Sequence, residues 1–578
     1  MQRTRIKIIG QSGTGLLTVG EIVSKGLQEL GFYFCADREY PSLIKGGHSC
    51  YTINFSEDPV YSLSDTADIL VAIDKHSLVA YFDTLREGGI LVHGYERTAG
   101  IADILKKAKE RNIIIIALPS RQISFDHGAT EQMVNIVLLG MIWKVLGFDF
   151  ETVQELLASK FEGKKKVLEI AMKCLRTSYD RVPVQTLYAT SLPKTKNETI
   201  LLDGNHAVAL GAIHAGMRFY VAYPMSPSSS ILSHVAKMAS RTGVVVKQAE
   251  DEITAVQMAL GGMFAGTRAM TSTSGGGYDL MTETVSLAGI IENPLVILLA
   301  QRPGPGTGLP TWTAQADLNL AIHSSHGEFA RIVVSISEPT DAFETIQHAF
   351  NLAEKYQIPV IVLSEKVVCE SKLTVSPFKL NSIPIERGLV TGNDLKKLQS
   401  EDRYQLTPNG LSKRWIPGSS ETYYFANGDE HTEKGTLTEE ADPVRDMYEK
   451  RVKKLELIKK ELPVPEIYGE TENADISFVG WGSMRTVMMD VIRIAASKGI
   501  KVNYLHYRYV FPLNKKFVQE FAASNKNLHL IEGNYTGQLG EHLEPLMGRE
   551  FSGKLLKWNG RPFFLEDVLS YIDKHFNK

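Results

Sequence analysis

Apolar and polar residues follow two periods along this chain, and their order predicts an α/β protein. Over residues 4–148, apolar runs of strand length alternate with segments whose apolar residues recur every three or four positions, as in amphipathic helices. The strands predicted there are Arg5–Ile9, Ile69–Ile73, Ile90–His93 and Ile113–Leu118, and the helices include Leu16–Leu30 and Ile101–Arg111. This alternation indicates a parallel, doubly wound sheet.

Similar alternation continues in the rest of the chain. The second set of predicted strands comprises Phe219–Ala222, Gly243–Lys247, Arg268–Thr271, Leu295–Leu299 and Val360–Leu363. Residues 376–470 are more polar and rich in turns, and they end in a charged helix near Val444–Leu462. A last strand, turn and helix begin with Ile476–Ser483.

These patterns predict an order of domains for the 578 residues, at a typical domain size of about 150 residues. We expect a doubly wound domain at 1–180, a linker rich in Pro, Ser, Thr and Lys at 181–197, and a second α/β domain at 198–375. A connector at 376–470 and a smaller α/β domain at 471–578 complete the prediction.

Charge and composition exclude several classes of function. The formal net charge is −3, with 63 basic and 66 acidic residues, so no basic surface is predicted for nucleic acid or an anionic membrane. No signal-peptide pattern or membrane-spanning apolar run is found, and a cytoplasmic protein is expected. The four cysteines form no C-x-x-C pair, so no metal site or iron–sulfur cluster is expected from this chain alone.

Three loops of the second α/β domain each follow or flank a predicted strand. They are Tyr223–Ser229, Glu250–Glu252 and Gln301–Gly308. Because ligands bind at the carboxyl edge of a parallel sheet, we expect these loops to meet there. Together they predict one half of a split thiamine-diphosphate site.

The acidic loop suits thiamine chemistry, which needs a carboxylate facing the aminopyrimidine ring. Any of Glu250, Asp251 and Glu252 could supply it, and the alternative is the usual acidic bias at a helix N-terminus. Ser226 lies in a turn between two prolines and is the better ligand contact, whereas Ser228–Ser230 suit helix capping.

Other loops offer cations and backbone donors. Arg302 begins a rigid Pro-Gly loop and could bind a carboxylate or phosphate, or form a structural ion pair. Gly10–Gly15 could hold a phosphate or allow close helix–strand packing, but it lacks the dinucleotide spacing G-x-G-x-x-G. Lys45 lies on a Gly-flanked loop, where it is either a ligand contact or a solvated lysine.

In these loops the chain resembles the α subunit of 2-oxoacid:ferredoxin oxidoreductases, in the form with a γ domain fused to its N-terminus. The motifs that carry the resemblance lie in family order at Gly10–Gly15, Ser42–His48, Gly204–Ala209, Tyr223–Pro227, Glu250–Glu252, Thr273–Gly277, Gln301–Gly308, His326–Glu328, Gly428–His431, Val479–Ser483 and Glu532–Gln538. The resemblance implies a γ domain, a thiamine-diphosphate pyrimidine-binding domain and a transketolase C-terminal-like domain.

The resemblance also implies roles for individual residues. Glu252 corresponds to the glutamate at the aminopyrimidine and Ser226 to a threonine near the substrate, while Arg302 and Lys45 correspond to residues around the 2-oxoacid or coenzyme A. The residues implied to contact cofactor, substrate or coenzyme A further include Tyr223, Pro224, Ser274, Gly275 and Thr307. Trp312 replaces a frequent arginine near the substrate loop, which bears on the identity of the acid.

The implied reaction is the oxidative decarboxylation of a 2-oxoacid with coenzyme A and ferredoxin to acyl-CoA and CO₂, with 2-oxoglutarate favoured over pyruvate. A separate β subunit is implied to share the thiamine diphosphate and to hold Mg²⁺ and a [4Fe–4S] cluster. One alternative is a thiamine-dependent transketolase or decarboxylase without ferredoxin, but the diphosphate-binding half that it needs is not found in this chain. The other is a non-catalytic nucleotide-binding scaffold, which leaves the three loops without purpose.

Overall fold

A computed structural model describes residues 3–42, 47–130, 133–183, 197–471 and 473–576. The chain forms two compact units. Unit 1 comprises Met1–Leu202, Ser371–Pro377 and Phe564–Lys578, and unit 2 comprises Asp203–Glu370 and Phe378–Phe563. Each unit has its own sheets and its own apolar core.

The strands are numbered in chain order. They are β1 (Thr4–Gln11), β2 (Tyr33–Glu39), β3 (His48–Ser56), β4 (Ala67–Ala72), β5 (Leu85–His93), β6 (Ile114–Ala117), β7 (Ile200–Leu202), β8 (Phe219–Ala222), β9 (Val245–Gln248), β10 (Ala269–Thr273), β11 (Leu295–Gln301), β12 (Ile332–Ser335), β13 (Pro359–Glu365), β14 (Lys372–Val375), β15 (Glu466–Gly469), β16 (Ile476–Trp481), β17 (Val502–Tyr507), β18 (Tyr509–Phe511), β19 (Leu528–Glu532) and β20 (Gly553–Leu556).

The α-helices follow the same convention. They are α1 (Leu16–Glu29), α2 (Lys75–Tyr81), α3 (Ala102–Glu110), α4 (Ser120–Asp126), α5 (Val134–Val145), α6 (Phe150–Lys160), α7 (Lys165–Arg181), α8 (Gly204–His214), α9 (Ser229–Thr242), α10 (Glu252–Phe264), α11 (Gly275–Ile290), α12 (Leu318–His323), α13 (Pro339–Tyr356), α14 (Lys366–Glu370), α15 (Ala441–Glu461), α16 (Met484–Ser497), α17 (Lys515–Ser524), α18 (Gln538–Met547) and α19 (Leu565–Phe576). Within the described ranges, none of these helices is both long and apolar enough to cross a membrane.

Unit 1 contains an eight-stranded sheet in the order β6-β5-β4-β1-β3-β2-β14-β7. The four predicted strands form its parallel half, where β1, β4, β5 and β6 pair in parallel. The other half is antiparallel, so the prediction of a parallel sheet holds only for the half that the predicted strands form. Strands β2 and β3 were not predicted, and periodicity gives no direction of strand pairing, so the antiparallel half could not be inferred from the sequence.

Three elements of unit 1 lie outside the first domain that was predicted at 1–180. Strand β14 pairs with β2 and with β7, and α19 also belongs to this unit. The domain limits predicted at 198, 375 and 471 place all three elsewhere. Hydrogen-bond partners separated by hundreds of residues decide this grouping, and local apolar patterns carry no information about them.

Unit 2 contains a seven-stranded sheet in the order β18-β12-β13-β11-β10-β8-β9. All its pairs are parallel except the antiparallel pair of β12 with β18. Central strand β11 is buried along its whole length, as expected for an apolar run covered on both faces. Strand β12 was not predicted, although its residues are also buried.

A second sheet of unit 2 has five strands in the order β15-β17-β16-β19-β20. Only its edge strand β15 runs antiparallel to its neighbour. The segment that follows β17 contributes β18 to the seven-stranded sheet, so the last part of the chain completes both sheets of this unit. Their residues share one apolar core.

From Phe378 onward the predicted connector lies within unit 2 and is held there by buried charges. Glu354 on α13 forms ion pairs of 2.7 Å with Arg268, 2.9 Å with Arg387 and 2.9 Å with Arg414. Two of these arginines belong to the connector. Removing one partner of a buried ion pair leaves an uncompensated charge, so this cluster strongly restrains the connector.

Candidate active site

The three predicted loops lie at one edge of the seven-stranded sheet. Strands β11, β10 and β8 are consecutive neighbours and β9 follows β8 at the sheet edge. All four are parallel, so the segments that follow them begin at the same carboxyl edge. The prediction that Tyr223–Ser229, Glu250–Glu252 and Gln301–Gly308 share an edge therefore agrees with the strand order.

The three acids after β9 differ in their surroundings. The side chain of Glu250 is 68% exposed and lies 3.5 Å from Lys247. Asp251 caps α10 by accepting a 2.7 Å hydrogen bond from the backbone N–H of Thr254, which lowers the pKa of Asp251. Glu252 is 4% exposed, and its Oε1 has no hydrogen-bond partner among the described residues.

Glu252 is therefore the acid that the local structure leaves for a ligand. A buried acceptor without a partner costs roughly 1–3 kcal/mol, and more when the group is charged. An N–H group of a bound heterocycle would satisfy this oxygen. The environment of Glu252 thus fits the group that faces the aminopyrimidine of thiamine diphosphate.

The start of α11 makes room for this carboxylate. A Cβ on Gly277 would lie 2.7 Å from Oε1 of Glu252, and it would also collide with the hydroxyl oxygen of Thr273. Such approaches are too close for any side chain, so Gly277 is required by packing against both Thr273 and the acid. A Cβ on the neighbouring Gly276 would meet no atom within 4 Å.

The loop after β8 is held against the start of α11 by a methionine. The Ser274 hydroxyl donates a 2.6 Å hydrogen bond to the Met225 sulfur, and Ser274 itself is fully buried. Tyr223 and Pro224, predicted cofactor contacts, are exposed at this loop.

Ser228 stands at the N-cap of α9 without capping it, because its hydroxyl donates to the carbonyl of Met225 at 2.9 Å. The capping prediction is wrong there.

Arg302 joins the loops after β11 and β8. Its Nη1 donates a 2.8 Å hydrogen bond to the backbone carbonyl of Ser226, and both residues are half-buried. Burial lowers the pKa of Arg302, and the nearby carboxylate of Asp317 opposes that shift. No salt bridge of Arg302 occurs within the described part of the chain, so the structural ion pair considered for it is not found. Thr307 is exposed further along the same loop.

Asp317 is a candidate site residue that sequence reasoning missed. It stands at the N-cap of α12, but its side chain makes no cap hydrogen bond. A Cβ on Gly275 would lie 2.8 Å from its Oδ2, and this oxygen has no partner among the described residues. From the sequence, an aspartate before a short apolar helix looks like an ordinary cap, so only the missing cap bond distinguishes it.

The segment before Asp317 is anchored by a buried polar network. Gln315 donates from Nε2 to Oε1 of Glu365 at 2.8 Å and to the carbonyl of Trp481 at 2.9 Å, and its Oε1 accepts from the N–H of Gly533 at 2.7 Å. Burial raises the pKa of Glu365 to about 7, and burial likewise raises the pKa of Glu532 to about 7. This network ties the segment before Asp317 to both sheets of unit 2.

Two predictions concern unit 1. Lys45 lies outside the described residues. In the glycine-rich loop, a Cβ on Gly10 would lie 2.9 Å from Oγ1 of Thr14, and one on Gly15 would lie 2.7 Å from Nδ2 of Asn135. Close packing therefore explains these two glycines, and phosphate binding by the loop stays a prediction.

In the described ranges, no group of three His, Cys, Asp or Glu residues is arranged to hold a metal ion.

Two family models match the chain. Residues 5–181 match the model described as pyruvate ferredoxin/flavodoxin oxidoreductase. Residues 210–450 match the thiamine-diphosphate-binding model of pyruvate flavodoxin/ferredoxin oxidoreductase. The second match contains Glu252, Arg302 and Asp317, and it confirms the predicted thiamine-diphosphate-binding domain.

Individual proteins agree with these models. The chain is 33% identical to 2-oxoacid:ferredoxin oxidoreductase subunit alpha from a Sulfolobus species, over 98% of this chain and 97% of the relative. It is 32% identical to 2-oxoglutarate synthase subunit KorA of Methanothermobacter marburgensis, over 58% of this chain and 88% of the relative.

A solved structure is similar over the same length. It is the 2-oxoglutarate:ferredoxin oxidoreductase from Magnetococcus marinus with 2-oxoglutarate, coenzyme A and succinyl-CoA bound. The TM-score is 0.91 at 28% sequence identity, and 99% of each chain is covered. The resemblance predicted from the motifs is thus confirmed, and the chain belongs to the family of 2-oxoacid:ferredoxin oxidoreductase α subunits.

Proposed function

We propose that this chain catalyses the coenzyme A-dependent oxidative decarboxylation of 2-oxoglutarate together with a β subunit. The observation that most directly supports this proposal is the buried, unpartnered Oε1 of Glu252. This residue lies in the region that matches a thiamine-diphosphate-binding model. Arg302 and Ser226 lie at the same sheet edge and supply a cation and a hydroxyl for the substrate. Both electrons leave to ferredoxin, while the products are succinyl-CoA and CO₂.

Bound thiamine diphosphate supplies a nucleophilic ring carbon and an electron sink for the decarboxylation. The role of Glu252 is to hold a proton between its Oε1 and a nitrogen of the aminopyrimidine. Burial suits this role, because water does not compete for the carboxylate oxygen. Of the other predicted cofactor contacts, Ser274 and Gly275 line the start of α11, and Tyr223 and Pro224 present an exposed loop edge.

Arg302 would bind the carboxylate next to the reacting carbonyl group. One edge of its guanidinium is fixed on the Ser226 carbonyl, which leaves further N–H groups for a bidentate contact with the acid. This arrangement orients the substrate without a general-base role for Arg302. Lys45 and Thr307 are proposed contacts of the acid or coenzyme A, on the basis of the motif resemblance alone.

The proposal also specifies which 2-oxoacid is the substrate and which partner subunit completes the enzyme. Two of the similar proteins are named for 2-oxoglutarate, which favours this acid over pyruvate. As an α subunit the chain acts with partner subunits, and we propose a β subunit that binds Mg²⁺ and carries a [4Fe–4S] cluster. Ferredoxin as the acceptor and a cytoplasmic location are parts of the same proposal. A transketolase or decarboxylase without ferredoxin is not favoured by relatives that span nearly the whole chain.

The proposal is tested by co-expressing this chain with its β subunit and measuring coenzyme A-dependent viologen reduction. The complex is first shown to contain thiamine diphosphate and its cluster, and 2-oxoglutarate and pyruvate are then supplied separately. Reduction that requires 2-oxoglutarate and coenzyme A supports the proposal. Reduction with pyruvate alone contradicts the substrate assignment, and turnover without an electron acceptor contradicts the reaction class.

A further inference from the structure

A second carboxylate with an unpartnered oxygen packs against the start of α11, as Glu252 does. Glu252 lies against Gly277, and Asp317 lies against Gly275 two residues earlier in the same turn. Both acids have a buried oxygen without a partner among the described residues. Glycines at these two positions give the carboxylates the space that side chains would fill.

Asp317 is held in this position by its backbone. Its own N–H donates a 3.0 Å hydrogen bond to Oε1 of Gln301, at the end of β11. The carbonyl of the preceding Ala316 accepts a 2.9 Å hydrogen bond from Nε2 of Gln538. With Gln315 also fixed by its side chain, the segment cannot easily carry the carboxylate out to solvent.

The charges around Asp317 come from two elements. Arg302, at the end of β11, stabilises the ionised form, whereas Asp279 on α11 opposes it. Burial outweighs the attraction to Arg302 and raises the pKa of Asp317 to about 7. No salt bridge joins Asp317 to any residue in the described ranges, so its charge interacts with Arg302 without a direct pair.

We infer that Asp317 is a positioning residue that couples binding of the 2-oxoacid carboxylate at Arg302 to the uptake of one proton. This inference rests on the proposed function. Ionised Asp317 repels the incoming carboxylate and competes for the charge of Arg302. Once protonated at Oδ2, it leaves that charge to the substrate. The proton comes from solvent and returns there when the anion leaves, and no covalent bond changes.

The test uses the assembled complex with its cofactor and cluster, and it has two readouts. Steady-state kinetics with 2-oxoglutarate separate KM from kcat between pH 6 and pH 8.5. Calorimetry with glutarate, in buffers of different ionisation enthalpy, counts the protons taken up on binding. Glutarate is the probe because it has both carboxylates of the substrate and no keto group that can react.

For the wild type, KM should rise by up to about tenfold per pH unit above pH 7, with a smaller change in kcat, because one proton is linked to binding. Glutarate should bind with net proton uptake near pH 7. In Asp317→Asn both effects should disappear. Asp279→Asn is the matched control: it should keep proton uptake and shift the KM transition to lower pH, because the charge that disfavours ionisation of Asp317 is gone.

Asp317→Glu keeps a carboxylate in this segment. It serves as a second variant in case Asp317→Asn does not fold. Proton uptake should persist in this variant, at a shifted pH, and its loss would overturn the inference. An unchanged KM profile and proton uptake in Asp317→Asn would overturn it as well. Binding of glutarate by the wild type without any proton uptake overturns this inference alone, whereas a loaded complex that neither binds glutarate nor turns over 2-oxoglutarate overturns the proposed function.

Discussion

Nη1 of Arg302 donates a 2.8 Å hydrogen bond to the backbone carbonyl oxygen of Ser226. This contact joins the loops that follow β11 and β8, two strands separated in the sheet by β10. The cation and the hydroxyl that were predicted to meet the substrate are therefore kept together by the main chain. Because the Ser226 carbonyl makes the bond, its hydroxyl is not used in holding Arg302.

The Arg302 contact predicts that lysine cannot replace this residue. In Arg302→Lys, one ammonium must serve both the Ser226 carbonyl and the substrate, and the planar bidentate geometry is lost. We expect KM for the 2-oxoacid to rise by about 10–100-fold, at roughly 1.4 kcal/mol for each factor of ten. Steady-state kinetics of the complex measure this. Arg241→Lys, at an exposed position on α9, is the control and should behave as wild type.

The difference in burial among the three acids predicts which one carries activity. Glu252→Gln should lower kcat by about 10²–10⁴-fold, the usual contribution of acid–base catalysis. Glu250→Gln is the matched control and should change kcat less than twofold, because that side chain is 68% exposed. Thiamine diphosphate content is measured for both variants. Full activity of Glu252→Gln in a loaded complex would remove Glu252 from the chemistry.

The turn at the start of α11 predicts opposite outcomes for neighbouring glycines. In Gly277→Ala the added Cβ would collide with Oγ1 of Thr273 and lie 2.7 Å from Oε1 of Glu252, so these side chains or the helix must shift. We expect at least tenfold weaker retention of thiamine diphosphate, measured after gel filtration of the complex. Gly276→Ala meets no atom within 4 Å and should retain the cofactor normally. Equal retention by both variants would contradict this account of the turn.

The buried network around Gln315 predicts a pH dependence of stability. The pKa of Glu365 is raised by burial from 4.5 to about 7, so its contribution to stability is fully present below pH 4.5 and is lost as the pH rises through 7. A shift of this size corresponds to about 3 kcal/mol. Glu365→Gln, which does not ionise, should therefore lose less stability between pH 5 and pH 8.

The melting temperature at these two pH values measures this effect. The exposed Glu250→Gln serves as control and should follow the wild type. The pKa of Glu532 is also raised by burial, so some pH dependence remains in Glu365→Gln. An identical fall of the melting temperature in wild type and Glu365→Gln would show that Glu365 does not titrate in this range.

Much of the local structure could be predicted from the chain. Strand β8 was predicted with both of its ends correct, and β11 was predicted with its first residue correct and its last residue two positions early. These elements have strong apolar periods and clear Gly or Pro boundaries. The order of the three ligand loops followed from them, because each loop directly succeeds a predicted strand.

Long-range pairing could not be predicted in this way. Strand β14 pairs with β2, whose residues lie more than 330 positions earlier, and β18 joins a sheet whose other strands precede it by more than 140 residues. Both strands are short, with four and three residues. Their place depends on hydrogen bonds with distant partners, which leave no periodic trace in the sequence.

The sequence by itself determined the α/β character, the three loops that follow neighbouring strands, and the candidate site residues Glu252, Ser226 and Arg302. Only the tertiary structure decided the burial and the contacts of these residues. In the folded chain Glu252 is buried, Asp251 is the N-cap residue of α10, and Asp317 packs against Gly275. The physical reason is that residue types and periods are local, whereas burial and unsatisfied polar atoms arise from packing between distant segments.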